Sequence, residues 1–192
     1  MKIYILAQGR SGSNTITKAI ADALKLRVVF KPSFDQNVID HTSFHDAIQE
    51  DNIIIKLHQF QKTDNFDTQT EFLRYIHDNF DHVIYHCRAN SFDAGLSFQN
   101  GIENGENWMI KYTPTVSRPE INHVRFAAQQ VSKIILYAKT FDHDVTFYEE
   151  LFTGDKQRTI DTIKRWNIEF NSLSLNMLLE RFNPKHKYTN NG

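Results

Sequence analysis

The stretch Ile3-Tyr4-Ile5-Leu6-Ala7-Gln8-Gly9-Arg10-Ser11-Gly12-Ser13-Asn14-Thr15 decides the reading of this chain. Ile3 to Ala7 form a short apolar run of the kind that makes a buried β-strand. Gly9 and Gly12 then mark a tight turn. Ile16, Ala19, Ile20, Ala23 and Leu24 share one face of an amphipathic helix predicted over 13–25. A strand–glycine turn–helix unit aims backbone N–H groups and the positive end of a helix dipole at one spot. That spot is a ready-made anion site, most often for phosphate. The glycines let the backbone approach the anion closely. Arg10 adds a permanent charge and a planar donor fork, while Ser11, Ser13 and Thr15 add hydroxyls.

Outward from this unit the chain alternates. Strands are predicted at 2–7, 27–30, 52–57, 82–87 and 144–148, and helices at 13–25, 42–49, 67–79, 91–100, 118–140, 155–166 and 172–181. In 118–140, Val124, Ala127, Ala128, Val131, Ile134, Ile135 and Ala138 form one apolar stripe. The alternation predicts an α/β fold, a three-layer α/β/α arrangement around a parallel sheet. Ligands of such sheets bind beyond the strand C-termini. Arg10, His58 and Arg88 each follow a predicted strand end, so the three are expected on one edge of the sheet.

Composition narrows the function classes. With 192 residues, 40% of them hydrophobic, the chain is expected to form a single domain over 1–192 with a full core. A formal net charge of −1 gives no global attraction to nucleic acid or to an anionic membrane. The single cysteine excludes an internal disulfide framework, and no metal-binding Cys/His spacing is visible. No apolar run reaches the length of a membrane span, and Met1 leads directly into the first strand without a signal peptide. The expectation is a soluble, cytoplasmic protein.

Two common phosphate loops fail against 9–15. The P-loop G-x-x-x-x-G-K-[ST] needs wider glycines, and Ser13 or Asn14 stands where its Lys belongs. The dinucleotide fingerprint G-x-G-x-x-G fails at Ser11. Gly9-Arg10-Ser11-Gly12-Ser13-Asn14 instead resembles the 5′-phosphosulfate loop of sulfotransferases, in which a basic residue and then Ser-Gly-[Ser/Thr] open the first helix.

A second segment carries the same resemblance. His82-Val83-Ile84-Tyr85-His86-Cys87 reads as a buried strand that ends at Arg88-Ala89-Asn90, with a helical pattern through Ser97. In sulfotransferases a strand ends in Arg and a Ser follows on the next helix, and both hold the nucleotide's 3′-phosphate. Arg88 and Ser97 stand in that relation, while Asn90 departs from the Pro or Asp usual in the family. A third segment, Asn52-Ile53-Ile54-Ile55-Lys56-Leu57-His58, matches the Lys and His of the Lys-Thr-His found at the equivalent strand end. There the His is the base for the acceptor hydroxyl and the Lys assists. Imidazole titrates near neutral pH and suits that role. Other branches use a carboxylate in the loop after the second strand, where Asp35 is the second candidate base. Val145-Thr146-Phe147-Tyr148-Glu149-Glu150-Leu151 resembles a late strand with Tyr-Glu-[Asp/Glu]-Leu, its acidic pair reading as a helix start. Residues 100–116, with Trp108 and Tyr112, read as a loop that lines an acceptor pocket or only the surface. The basic tail 184–191 reads as a frayed terminus or a cover for the 3′-phosphate.

The resemblance implies a P-loop NTPase-like sulfotransferase fold. It implies 3′-phosphoadenosine-5′-phosphosulfate (PAPS) as co-substrate and adenosine 3′,5′-bisphosphate as product, without a metal. Arg10, Ser11, Gly12, Ser13, Asn14 and Thr15 would hold the 5′ end, and Arg88 and Ser97 the 3′-phosphate. His58, Lys56 and Arg10 would be catalytic, toward a small-molecule or carbohydrate acceptor, in a monomer or a homodimer. A P-loop small-molecule kinase and a non-catalytic nucleotide-binding module stand as alternatives.

Overall fold

A computed structural model describes residues 1–30, 38–103 and 116–184. Five strands, β1 (Lys2–Ala7), β2 (Arg27–Phe30), β4 (Ile53–His58), β6 (His82–Cys87) and β7 (Val145–Phe147), make one sheet in the order β2-β4-β1-β6-β7. Every pairing in it is parallel. A separate parallel pair, β3 (Val38–Ile39) with β5 (Lys62–Thr63), was not expected from the sequence. Strands of two residues carry no readable period.

Among the described residues eight helices surround the sheet: α1 (Ser13–Leu24), α2 (His41–Ile48), α3 (Gln69–Asn79), α4 (Ser91–Glu103), α5 (Ile121–Thr140), α6 (Tyr148–Leu151), α7 (Lys156–Lys164) and α8 (Ser172–Phe182). Alternation along β1 divides them between two cores. Ile3, Ile5 and Ala7 face Ile16 and Ile20 of α1, Leu151 of α6, Ile163 of α7 and Phe182 of α8. Tyr4 and Leu6 face Phe44 of α2, Phe72 and Ile76 of α3, and Ile134 and Ala138 of α5. β1 is thus buried on both faces, which explains its unbroken apolar run. Each large apolar side chain so buried contributes about 1.5–3 kcal/mol relative to exposure.

The chain leaves β1 toward β2 with α1 on one face. It passes from β4 to β6 and on to β7 in the other direction, with α3 and α5 on the opposite face. Both crossovers obey the right-handed rule only in this way. The direction of winding therefore reverses at β1, and the crevice beyond its C-terminal end is where such sheets bind ligands.

Three local expectations change. α5 begins at Ile121, because Pro119 and the extended Glu120, at ψ 145, precede it. Its buried face is Ala127, Gln130, Ile134 and Ala138, whereas Ala128 is exposed. α4 continues through Glu103, so 100–103 belong to a helix rather than to the loop. Buried Asn100 supports that turn by accepting the Val116 N–H at 3.1 Å and donating to the Leu96 carbonyl at 2.9 Å.

Candidate functional site

Register places the three sequence motifs on one edge. Ala7, the last residue of β1, pairs with His58 on one side and His86 on the other. The Gly9–Thr15 turn, the Lys56–His58 strand end and Arg88 therefore surround the C-terminal end of the central strand.

The turn is built by residues that motif reading did not single out. Gln8 is fully buried; its Nε2 donates to the Ala127 carbonyl at 3.1 Å and its Oε1 accepts the Arg88 N–H at 2.7 Å. Gln130 Oε1 on α5 accepts the Gly9 N–H at 2.9 Å. Ser11 is buried and spends its hydroxyl on the Gln8 carbonyl at 2.8 Å, so it serves the turn itself. Arg10 and Gly12 are both left-handed, at φ 67 and φ 78. A Cβ on Gly12 would lie 3.0 Å from the Tyr148 ring, so glycine is required there for shape as well as for conformation. Gly12 is also the N-cap of α1 and provides no side-chain cap. The N–H groups of Ser13, Asn14 and Thr15 have no carbonyl within the helix to bond. Asn14 and Thr15 are exposed, and Ser13 is buried.

Arg10 reaches over α4. Its Nε donates to Ser97 Oγ at 3.1 Å, and a Cβ at Gly101 would stand 3.6 Å from its Cζ. Ser97 is thus bonded to Arg10. Arg88 makes other contacts: Nη2 lies 3.4 Å from Asp93 Oδ2, Nε lies 3.7 Å from Glu149 Oε1, and Cζ sits 4.5 Å from the centre of the Tyr148 ring. Among the described residues the buried Arg88 Nε has no hydrogen-bond partner. Glu149 accepts the N–H groups of Ala89 and Asn90 at 2.9 and 3.0 Å. Asn90 has a local purpose. Its Oδ1 accepts from the N–H groups of Phe92 and Asp93 at 3.1 and 3.2 Å and so caps α4. Glu149 and Glu150 lie in the first turn of α6, as the sequence predicts for an acidic pair.

His58 is 4% exposed, and Lys56 Nζ donates toward its Nε2 at 3.4 Å. Burial first, and the Lys56 charge second, hold the imidazole down to about 3, far from the neutral range expected of a histidine base. His86 is fully buried between the turn and β7, bonded at Nε2 to the Ser11 carbonyl at 2.8 Å and at Nδ1 to Thr146 Oγ1 at 3.2 Å. Burial pushes it down to about 4, against the opposing pull of the Ser11 carbonyl and of Glu149 and Glu150.

Gln8, Gln130, His86 and Glu149 complete the site, although the sequence reading gave none of them a binding or catalytic role. A weak signal existed for two of them. Gln8 directly precedes the first glycine, and Gln130 interrupts the α5 apolar face at helical spacing between Ala127 and Ile134. Asp35, Trp108, Tyr112 and the tail from Lys185 lie outside the described residues. Two hollows, of about 340 and 410 Å³, are lined by residues of α7, α8 and the turn before α7, with Glu150 and Arg165 in the second, and by none of Arg10, His58 and Arg88. No described helix is long and apolar enough to cross a membrane. Set against family models, curated proteins and solved structures, the chain gives no match.

Proposed function

We propose that the chain is a PAPS-dependent sulfotransferase with a P-loop-like fold. The observation that carries this reading is the register. It brings the Arg10 turn, the Lys56–His58 strand end and Arg88 around the end of β1, with Arg10 bonded to Ser97. In this reading the turn amides and Arg10 hold the 5′-phosphosulfate. The acceptor oxygen attacks sulfur, the bond from sulfur to the bridging oxygen breaks, and adenosine 3′,5′-bisphosphate leaves with the electron pair. Arg10 meets the charge that grows on that bridging oxygen. In-line transfer requires the acceptor opposite the leaving oxygen.

The acceptor proton is the demanding step. A His58 held near 3 is neutral at physiological pH and takes a proton poorly. It suits a late transfer, when the attacking oxygen has already bonded to sulfur and become strongly acidic. The same depression favours a second reading, a nucleotide-binding module without transfer. Labelled PAPS with a panel of alcohol and amine acceptors separates the two.

The test of the main reading is calorimetry in EDTA. Adenosine 3′,5′-bisphosphate is expected to bind more tightly than AMP, because Arg88 supports the second phosphate. Equal affinities would remove Arg88 and Ser97 from the site. Arg10→Ala is expected to lower single-turnover transfer on the order of a hundredfold while reducing nucleotide affinity less, since backbone donors remain. A rate within a few-fold of the parent would take Arg10 out of the catalytic role.

A further inference from the structure

His86 is an unusual residue for its position. It lies in β6, next to the central strand, among Val83, Ile84, Tyr85 and Cys87, and is fully buried. A polar ring there is costly unless hydrogen-bonded; both nitrogens face an oxygen, the single Thr146 hydroxyl hydrogen being shared between Nδ1 and the Tyr85 carbonyl, each 3.2 Å away. A carbonyl oxygen only accepts, so the nitrogen facing the Ser11 oxygen carries the hydrogen. Nε2–H donates to Ser11 at 2.8 Å, and Nδ1 meets the Thr146 hydroxyl at 3.2 Å. Trp166 Nε1 lies 3.5 Å from the same hydroxyl, and its N–H can only donate. The charged groups turned toward the ring are Glu149 and Glu150 of α6, paired in turn with Arg88 and Arg165.

The consequence lies on the other side of one peptide bond. A trans peptide is planar, and its C=O and N–H point in opposite directions. The Ser11 carbonyl points inward to His86, so the Gly12 N–H of the same plane points outward. It is directed to the space in front of α1, beside the N–H groups of Ser13, Asn14 and Thr15. Gly12, at φ 78, adopts this arrangement without a Cβ penalty.

We propose that His86 is a positioning residue for the anion site: by holding the Ser11 carbonyl in the core, it fixes the Gly12 N–H as a donor to the bound phosphate or sulfate group. This rests on the sulfotransferase reading only in taking the 9–15 turn as the anion site. The donor comes from a sheet strand rather than a loop, so the peptide is oriented before the ligand arrives. Such preorganisation avoids an ordering cost on binding.

The test uses the full chain labelled with ¹⁵N, titrated with inorganic phosphate and then with adenosine 3′,5′-bisphosphate. The Gly12 amide proton is expected to move downfield with both ligands, more than the Gly9 amide, which stays bonded to Gln130. His86→Gln keeps a donor near the Nε2 position and His86→Leu removes it. The Gln variant should bind close to the parent. The Leu variant should lose about tenfold or more, as for a hydrogen bond to a charged group, and equally for AMP and the bisphosphate. An unmoved Gly12 amide in a parent that binds the bisphosphate overturns the proposal, as does parent-like affinity in His86→Leu. If His86→Leu does not fold, the parent titration decides alone. A parent that responds at Gly12 but does not prefer the bisphosphate over AMP sinks the sulfotransferase reading and leaves this one standing. A parent that binds neither anion sinks both.

Discussion

His58 and His86 flank the same residue, Ala7, and burial acts on them alike. Both are held well below the ordinary histidine value, to about 3 and about 4, and half-buried His77, beside His143, also falls to about 4. The unfolded chain therefore binds more protons than the folded one below about pH 6.5. Stability is fully present above that value and falls as pH drops toward 4. Each fully buried ring contributes ~1.4 kcal/mol of loss per pH unit in this window. Urea unfolding at pH 7.5 and pH 5 should show a drop of several kcal/mol, and His86→Gln should make the drop shallower. A pH-independent midpoint would mean that these rings are not buried as described. Gly12 gives a second expectation at this scale. Gly12→Ala places a side chain in the left-handed region, about 1–2 kcal/mol unfavourable, and pushes it against the Tyr148 ring. A lower urea midpoint at unchanged slope is the expected result.

Among the elements, α4 decides how the site is held. Its N-terminus is capped by Asn90, its preceding turn is bound by Glu149, its middle carries Ser97 against Arg10, and its last turn passes behind the Arg10 guanidinium at Gly101. Asn90→Ala should cost about 1 kcal/mol, the usual worth of an N-cap, with Asn90→Asp restoring most of it. Equal stability of the Ala and parent proteins would show that Glu149 alone secures the turn. Gly95 fixes the approach of α4 to α5, since a Cβ there would stand 3.0 Å from the Val124 nitrogen. Gly95→Ala should therefore separate the two helices, loosen the Gln8 and Gln130 anchors on α5, and weaken nucleotide binding although it touches no ligand. Unchanged affinity in a destabilised Gly95→Ala protein would uncouple α5 from the turn.

For the whole molecule, the point of interest is that the winding reverses at β1 and the anion turn follows that same strand. A ligand that binds only the folded state stabilises it by mass action, ~2.7 kcal/mol at a hundred times its dissociation constant. Adenosine 3′,5′-bisphosphate in EDTA is expected to raise the melting temperature by several degrees, and ATP with Mg²⁺ by less. The reverse order would favour the kinase alternative.

The local signals settled a great deal. The apolar run of β1, and those of β4 and β6 interrupted by Lys56 and His86, announced buried strands, and the spacing of apolar residues in α1 and α5 announced helices, because burial imposes its period directly on neighbouring residues. Gly9 and Gly12 marked the turn, and at Gly12, φ 78, few other residues take the backbone; nothing local announced the left-handed Arg10. What the sequence could not contain was partnership over long separations. That Ser97 serves Arg10, that Glu149 takes the amides after Arg88, and that Gln130 and His86 hold the turn from two other elements all depend on which strands become neighbours. The depression of His58 has the same origin. A side chain's ordinary chemistry is local, but the burial that changes it is the sum of everything packed around it, and only the tertiary structure supplies that.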